Sequence, residues 1–342
     1  IGPNTSRFVP DGGRGHVESW FLRANHPTAR QALWLKATLL ARIGAAPVAE
    51  AWFVFIDGDT GMRRAGRATV PLPAAFVGTE PVALTVGDCQ FDLGVGAGAS
   101  KGQLGSRGGD VAWKLDWQAV PGPLGAPLAM LRSAALLDGP FPRSKTVTPA
   151  PVLVVSGAVT VGGATSDETI DINGWIGSQG HNWGLEQPHD LVWAQCVFND
   201  GAGKPHCVVE ALTAQIRIGP VVSPRVSVLV VRRGVEEWRF DALIDLWRQR
   251  SDLDDLSWRL RMRGPAGEAT LTLNARGEDL VCLAYPKSAQ AGGAIACLNS
   301  KLAACSLRIN PRNADGFGCD SDHGAAFELQ RQTFDARFPA DA

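Results

Sequence analysis

Short runs of β-branched, aromatic and aliphatic residues alternate with Gly, Pro, Asn and Asp along almost the whole chain. The turn residues recur about every ten positions, roughly the interval at which an antiparallel strand must end and reverse to pair with the next. Apolar residues at helical spacing are scarce. This rhythm predicts an all-β protein made of antiparallel strands.

Four stretches carry the clearest strand and turn signals, and they are residues 17–43, 50–72, 191–219 and 257–275. The first is expected to hold two paired strands. The second is expected to be a hairpin that turns at residues 57–61, because Asp and Gly cluster there between two strand-like runs. The third and fourth are predicted to turn at residues 199–201 and 264–267 for the same reason.

Other segments carry weaker signals. In residues 236–256 helix and strand remain open alternatives. Residues 94–110 are Gly-rich and are expected to form an exposed loop. The Pro-rich residues 121–127 and 139–151 are expected to be connections.

The length of the chain exceeds what one hydrophobic core usually organises. With 342 residues, two domains or one unusually large β domain are expected. A break near Pro188 separates two strand-rich halves. We therefore predict domains at residues 1–187 and 188–342, with the polar stretch described below at their junction.

Charge and hydropathy limit the partners. The chain has 33 basic and 34 acidic residues, a net charge of −1, which offers no field for attracting nucleic acid or an anionic membrane. No apolar run reaches the roughly 18 residues of a membrane span. A cytoplasmic protein, with or without association to a membrane surface, is expected. Its oligomeric state, and whether a leader preceded Ile1, stay open.

Seven cysteines form an odd set without a C-x-x-C pair, and several lie in apolar runs such as "AQCVF" and "LVCLAY". They are predicted to be buried free thiols in a reducing compartment. His181, His189, Cys196, His206 and Cys207 lie within 27 residues, but they lack the paired spacing of a metal site. No metal is predicted.

The stretch "GWIGSQGHNWG", residues 174–184, sets four polar or aromatic side chains between glycines. One interpretation is a tight corner whose side chains cap strand ends. The other is a reactive site in a cavity, because an imidazole titrates near neutral pH and an indole on the same strand face stabilises a cation. Both interpretations stay open at this point.

Three stretches resemble a known family in order and register: "HVESWFLRANHPTARQALWLKATLL", "GHNWG" and "YPKSAQAGGAIACLNSKLAACSLRI". They are similar to the carotenoid 1,2-hydratase (hydroxyneurosporene synthase, CrtC) and AttH-like family, to which tocopherol cyclases and lipocalin-like Diels–Alderases look related. The resemblance covers nearly the whole chain. It implies two lipocalin-like (calycin-type) antiparallel β-barrel or sandwich domains, a hydrophobic cavity at their contact, and chemistry without a cofactor.

In the hydratase branch a His-x-Trp pair works with a downstream Tyr-x-Asp, whose aspartate protonates an alkene. His181 and Trp183 match the first pair, whereas Trp193 and Gln195 stand where the second would be. Tyr285 is the only tyrosine. The resemblance therefore implies a reaction other than carotenoid hydration in a similar cavity.

The candidate catalytic residues are His181, Trp183 and Glu18. Glu18 lies in the shared "HVESWF" motif, where burial would raise the pKa of a general acid; pairing with Arg23 or Arg42 is the alternative. The candidate ligand-binding residues are Gln179, Asn182, Trp20, Trp193, Gln195 and Tyr285. The eleven tryptophans suit an apolar cavity, and a role in the core is the alternative.

These observations lead to two functional hypotheses. The first is a cofactor-independent enzyme that acts on a hydrophobic polyene, isoprenoid or polyketide by proton-transfer hydration, cyclisation or isomerisation. The second is a carrier that binds such a molecule without chemistry. The His181–Trp183 pair favours the enzyme, and the missing Tyr-x-Asp favours the carrier.

Overall fold

Antiparallel strands account for nearly all of the regular structure, as predicted. The computed structural model describes residues 2–8, 15–72, 82–131, 133–140, 142–163, 166–215, 217–218, 221–242, 249–288 and 293–342. Within these residues the strands form two large sheets and one two-stranded hairpin. The prediction of two lipocalin-like β units is confirmed. No helix of the described chain is long and apolar enough to cross a membrane.

The first sheet contains twelve described strands in the order β4-β3-β2-β1-β12-β10-β8-β7-β6-β5, with β9 and β11 also paired to β10. These strands are β1 (His16–Asn25), β2 (Gln31–Ala41), β3 (Val48–Asp57), β4 (Met62–Pro71), β5 (Val82–Val86), β6 (Cys89–Leu93), β7 (Ala97–Ser106), β8 (Gly109–Ala119), β9 (Leu128–Ala129), β10 (Ser144–Val161), β11 (Glu168–Asp171) and β12 (Trp175–Gly184). A short helix, α1 (Ala134–Asp138), precedes β10.

The remaining strands are β13 (Asp190–Asn199), β14 (Pro205–Gln215), β15 (Arg217–Ile218), β16 (Val221–Val222), β17 (Val226–Arg233), β18 (Glu236–Phe240), β19 (Arg250–Asp254), β20 (Ser257–Gly264), β21 (Gly267–Asn274), β22 (Leu280–Pro286), β23 (Ala294–Pro311) and β24 (Phe317–Arg331). The second sheet has the order β18-β17-β14-β13-β24-β23-β21-β20-β19, with β22 paired to β23. The hairpin pairs β15 with β16, and a 3₁₀ turn spans Gly277–Asp279.

All four stretches with clear strand signals form the predicted pairs, namely β1–β2, β3–β4, β13–β14 and β20–β21. The open segment 236–256 contains strands β18 and β19 at its two ends, while residues 243–248 lie outside the described chain. The first sheet ends at Gly184 and the second begins at Asp190. A domain boundary at residues 187 and 188 stays a prediction.

Two of the predicted connections are wrong. Residues 94–110 contain most of the β7–β8 hairpin, and residues 144–151 begin the long strand β10. The glycines of β7 make room for indole rings: a Cβ atom on Gly98 would lie 2.4 Å from Trp117, and one on Gly102 would lie 2.7 Å from Trp113. Glycine therefore marks close packing inside a strand here, and not a flexible loop.

The first sheet curls around an apolar interior. Strand β4 approaches β7 so closely that a Cβ atom on Gly66 would lie 2.5 Å from the carbonyl oxygen of Gly105. Across the interior, the Phe53 ring of β3 stacks on the Trp113 ring of β8, with 5.1 Å between centroids. Large buried side chains fill this barrel-like space, and their burial is its main source of stability.

The outer face of the first sheet packs against the second sheet. Trp34, Trp52 and Ile56 contribute to a buried apolar cluster that also contains Leu283 and Ile295 of the second sheet. A second, smaller cluster joins Val152 to Val197 and Val208. The contact between the sheets is therefore partly a hydrophobic core of its own.

Polar groups are also buried in this contact, and one of them is the side chain of Arg23 in β1. Its guanidinium donates to Gln195 of β13 at 3.0 Å, to the carbonyl oxygen of Gly324 in β24 at 3.1 Å and to Asn25 at 2.8 Å. The Asn25 amide in turn donates to the carbonyl oxygen of Lys301 at 2.6 Å. Burial lowers the pKa of Arg23 to about 10. The side chain thus ties the first sheet to two strands of the second.

We expect Gly98→Ala to destabilise the protein by about 1–3 kcal/mol, because the added methyl group would overlap the Trp117 ring and the Asp92 carbonyl oxygen. Gly105→Ala is the matched control in the same strand, since its Cβ atom would meet nothing closer than 3.8 Å. Urea unfolding of both variants measures the difference. Equal unfolding free energies would contradict the packing role of Gly98.

Candidate functional site

The polar stretch singled out in the sequence forms β12, between β1 and β10. His181 lies opposite Trp20, and Trp183 lies opposite Glu18, so these four side chains share one face of the sheet. Asn182, between them in sequence, points to the other face. The stretch therefore divides its side chains between the barrel interior and the second sheet.

Close contacts with neighbouring atoms explain why β12 contains glycines. A Cβ atom on Gly180 would lie 2.1 Å from the Phe21 ring, and one on Gly177 would lie 2.0 Å from the carbonyl oxygen of Arg23. One on Gly184 would lie 2.0 Å from the carbonyl oxygen of Arg143. Neighbouring backbone and the Phe21 ring thus approach β12 more closely than any side chain would allow.

His181 is fully buried, and both of its ring nitrogens have partners. Nδ1 lies 2.7 Å from the carbonyl oxygen of Pro3, and Nε2 lies 2.8 Å from Oε1 of Glu18. A carbonyl oxygen only accepts, so Nδ1 carries a proton and donates it. Nε2 and the Glu18 carboxyl group are hydrogen-bonded to each other. The imidazole also stacks on Trp20 and tilts against Trp183, with 4.9 Å between centroids in each case.

The N-terminal segment, residues 2–8, encloses this Glu18–His181 pair. Ser6 Oγ and the backbone NH of Arg7 donate to the Glu18 carboxylate at 2.6 and 2.8 Å. Trp20 Nε1 donates to the Asn4 carbonyl oxygen at 3.0 Å, and the Arg7 guanidinium lies 4.0 Å from the centre of the Trp183 ring. These contacts hold the segment against the barrel and fit the interpretation in which the polar stretch caps strand ends.

A cavity of about 330 Å³ lies between the two sheets, mainly on the opposite face of β12. The Trp183 ring, next to the end of this strand, also reaches it. Its walls are mainly apolar and include Phe21, Leu212, Val228 and Ile295. A volume in the range of roughly 300–1,000 Å³, with apolar walls and few polar groups, is typical of small-molecule sites. We call it the inter-sheet cavity.

Four of the nine sequence-predicted site residues line the inter-sheet cavity, namely Asn182, Trp183, Trp193 and Tyr285. The other five are absent from its lining, and they are Glu18, Trp20, Gln179, His181 and Gln195. Gln179 and His181 do not line the inter-sheet cavity, since alternation turns them to the barrel interior. There the Gln179 side chain accepts a hydrogen bond from Trp117 Nε1 at 3.3 Å.

Gln195 lies in the contact between the sheets. Its side-chain oxygen accepts from the Arg23 guanidinium at 3.0 Å and from the Ser178 hydroxyl. The alternative pairing of Glu18 with Arg23 is not found, since Arg23 turns to the opposite face. Gln195 thus serves as an acceptor for a buried cation in the position where the resemblance implied an acid.

Six charged residues line the cavity, and none of them was singled out in the sequence; they are Lys36, Arg143, Lys145, Glu186, Lys287 and Glu328. Lys36 is the most deeply buried of the six. Lys36 extends its Nζ to 3.9 Å from the centre of the Tyr285 ring, and burial lowers the pKa of this amine. Glu328 accepts hydrogen bonds from Lys301 at 2.7 Å and from Asn299 at 3.1 Å. Within the described chain Lys36 has no ion-pair partner of its own.

Two of the charged residues in the cavity wall, Lys36 and Glu328, can be recognised from a sequence pattern. Lys36 is the only charged residue in "ALWLKATLL", and Glu328 is the only one in "AAFELQ". The same pattern, a single charge in an apolar strand, marks Arg23, Glu210 and Lys301, which are all buried where the sheets meet. A lone charge within a strand that is apolar on both faces indicates a buried polar contact.

Glu210 supports one wall of the inter-sheet cavity. It accepts a hydrogen bond from Trp193 Nε1 at 3.0 Å and another from Thr148 of the first sheet at 2.7 Å. Burial raises the pKa of Glu210, although both hydrogen bonds favour its ionised form. The carboxyl group thus fixes the Trp193 ring while linking β14 to β10.

Solved structures share the fold of this chain. An AttH-like protein from Nitrosomonas europaea is 12% identical, with a TM-score of 0.55 over 93% of both chains. CghA in complex with Sch210972 is 11% identical, with a TM-score of 0.56 over 96% of this chain and 94% of its own. Kievitone hydratase from Nectria haematococca is 11% identical, with a TM-score of 0.52 over 92% and 89%.

No protein-family model matches the chain, and no curated protein matches it in sequence. At identities near 12% the structural likeness shows a common fold, extending over nearly the full length of each chain. It does not single out carotenoid 1,2-hydratase among the proteins with this fold.

The stability of wild-type protein relative to Glu210→Gln should fall as the pH rises above about 4.5, the ordinary pKa of a glutamate. The native state holds a proton that the unfolded chain has already lost, and this advantage disappears as the pH passes the raised native pKa. Urea unfolding of both proteins between about pH 4.5 and 8 measures the difference. Glu236→Gln, at an exposed position of β18, is the control, and parallel curves for wild type and Glu210→Gln would contradict the prediction.

Proposed function

We propose that this protein is an enzyme that binds a hydrophobic small molecule in the inter-sheet cavity and transforms it by proton transfer. The observation that carries the proposal is a buried amine, Lys36, which has no ion-pair partner among the described residues and lies in the wall of a mainly apolar cavity. The proposed reaction is a cyclisation, an isomerisation or a hydration. Kievitone hydratase is by name a hydratase, and CghA binds Sch210972 in its crystal, so proteins of this fold act on or bind small molecules.

The lining of the cavity supports an apolar ligand. Trp183, Trp193 and Phe21 offer flat rings, and Leu212 and Val228 offer aliphatic surface. A ligand that covers these side chains gains about 25 cal/mol for each Å² of apolar area removed from water. Polyenes, isoprenoids and polyketides meet this requirement.

The acidic and basic side chains of the cavity limit the reactions that it can catalyse. Glu328 is held by Lys301 and Asn299, and the other charged residues of the lining are less buried than Lys36. We therefore assign proton exchange with a ligand to Lys36. The lowered pKa of Lys36 brings the amine closer to the pH range in which it both accepts and donates a proton. An ammonium group is too weak an acid for a plain alkene, but it can protonate or polarise an enolate or carbonyl oxygen. This favours an oxygenated substrate, such as a polyketide or an isoprenoid ketone, over a pure hydrocarbon.

Tyr285 and Asn182 complete the polar part of the proposed site. Both line the cavity, and the Tyr285 hydroxyl lies close to the Cys297 thiol and the Asn299 side chain. A tyrosine hydroxyl both donates and accepts hydrogen bonds, so it can also bind an oxygen atom of a ligand. We assign Tyr285 to binding an oxygen atom of the ligand, next to Lys36.

Glu18 and His181 take an indirect role in this proposal. Neither lines the cavity, but the His181 ring contacts Trp183, which does. They are positioning residues that hold the Trp183 ring from the barrel side. Trp183 itself contacts the ligand.

Binding in the inter-sheet cavity can be tested with all-trans-retinol, a fluorescent polyene, by quenching of tryptophan emission. Val226→Trp should weaken retinol binding at least tenfold, about 1.4 kcal/mol, because Val226 lines the cavity and the larger ring occupies it. Val221→Trp, at a position that is 64% exposed, should bind like wild type. Equal affinity in both variants would place the retinol site elsewhere.

Catalysis can be tested in D₂O with the apolar ketones β-ionone and pseudoionone, using mass spectrometry to detect deuterium next to the carbonyl group. We expect wild type to exceed the buffer rate, and Lys36→Met to lose at least tenfold of that excess, about 1.4 kcal/mol, while retinol still binds. Lys114→Met, at an exposed position of β8, should match wild type. Retinol binding without any deuterium incorporation would instead support the carrier.

A further inference from the structure

A second cluster of reactive side chains lies in the second sheet, outside the inter-sheet cavity. Cys319 of β24 places its Sγ 3.7 Å from Nε2 of His206, and the thiol of Cys207 forms a hydrogen bond with Cys319. None of the three lines the inter-sheet cavity. All seven cysteines are free and buried, as predicted from the sequence.

The surroundings of Cys319 favour a negative charge on sulfur. His206, Arg233 and Arg308 all lie close enough to interact with it electrostatically. Asp320, the next residue, is ion-paired with Arg308 at 2.9 Å, and Asp200 faces His206. The hydrogen bonds from Cys207 and His206 lower the pKa of Cys319 to about 6, against the effect of burial. The pKa of Cys207 is raised by the same contact.

The opposite pKa shifts give the two thiols different chemical roles. Near neutral pH, Cys319 is the thiolate and Cys207 is the S–H donor. Cys319 is also 7% exposed, whereas Cys207 is 0% exposed, so a small reagent reaches Cys319 first. A low-pKa thiolate with limited access, next to a second thiol, is the arrangement expected of a redox-sensitive cysteine.

We propose that Cys319 is a modification site that reacts with hydroperoxides, and that Cys207 is its resolving thiol. The Cys319 thiolate attacks the peroxide, the O–O bond breaks, and Cys319 becomes a sulfenic acid as the leaving hydroxide or alkoxide takes up a proton. The Cys207 sulfur then attacks the Cys319 sulfur, which forms the disulfide and releases water. Sulfur is oxidised by two electrons, and the peroxide is reduced.

Other cysteines are poorly suited to this reaction. Burial raises the pKa of Cys89 and Cys282 to about 11, and it raises the pKa of Cys297 and Cys305 well above the usual value. These thiols stay protonated near neutral pH, and the thiolate is the reactive form. The proposal therefore names one site of first attack, and it does not depend on the function of the inter-sheet cavity.

Alkylation of the folded wild-type protein by iodoacetamide, followed by peptide mapping, tests the thiolate. Cys319 should react at least ~10-fold faster than Cys282 at neutral pH, with a rate that is half-maximal near pH 6. His206→Ala should slow Cys319 at neutral pH and leave Cys282 unchanged. Equal reactivity of Cys319 and Cys282, or a half-maximal rate at the usual thiol pKa near 8.5, would overturn the assignment.

Hydrogen peroxide followed by non-reducing peptide mapping tests the resolving thiol. Wild type should yield a Cys207–Cys319 peptide pair that has lost two hydrogen atoms. In Cys207→Ser, whose hydroxyl can still donate to Cys319, oxidation should stop at a Cys319 sulfenic acid that dimedone traps. In Cys207→Ala, which removes the donor, the same product should form more slowly, because less of Cys319 is thiolate. A disulfide between other cysteines, or no oxidation of Cys319, would overturn the proposal. Near-ultraviolet circular dichroism checks that the variants are folded.

Discussion

The buried guanidinium of Arg23 is the constraint on which the arrangement of the two sheets depends. A cation removed from water must be surrounded by acceptors, and removing one partner of such a group is strongly destabilising. Arg23 finds its acceptors in Gln195 and Gly324 of the second sheet, as well as in its own sheet. These bonds fix where β1 lies against β13 and β24. The inter-sheet cavity lies between the same two sheets, and Lys36 and Glu328 place charged groups in its wall.

Local sequence patterns predicted most of the strands, because alternation and turn chemistry act between residues near in sequence. The β3–β4 hairpin shows this well, since its turn residues and both strands lie within 24 residues. Local patterns did not predict the β7–β8 hairpin. Its glycines were interpreted as a loop because the reason for them, the Trp113 and Trp117 rings, is visible only when the strands are paired. At these positions close packing against the indole rings requires glycine, although glycine has a low propensity for strands.

The candidate site was predicted less well for a related reason. Sequence proximity grouped Gln179, His181 and Asn182, but alternation sends the first two to the barrel interior and the third to the cavity. The partner of His181 Nδ1 is the carbonyl of Pro3, 178 residues away, which no local pattern indicates. Lys36 was visible as a lone charge in an apolar strand. What the sequence could not tell is which of the two apolar environments, core or cavity, lies around it.

The distance in sequence between Pro3 and His181 also bears on how the chain folds during its synthesis. A ribosome releases residues 2–8 and β1 long before β12, so the contact between Pro3 and His181 cannot form until β12 has emerged. Until then the edge of β1 that later pairs with β12 is unpaired and able to join strands of other chains. Newly made protein is therefore most prone to aggregation before His181 appears. A chaperone that shields β1 over this interval would raise the yield of folded protein.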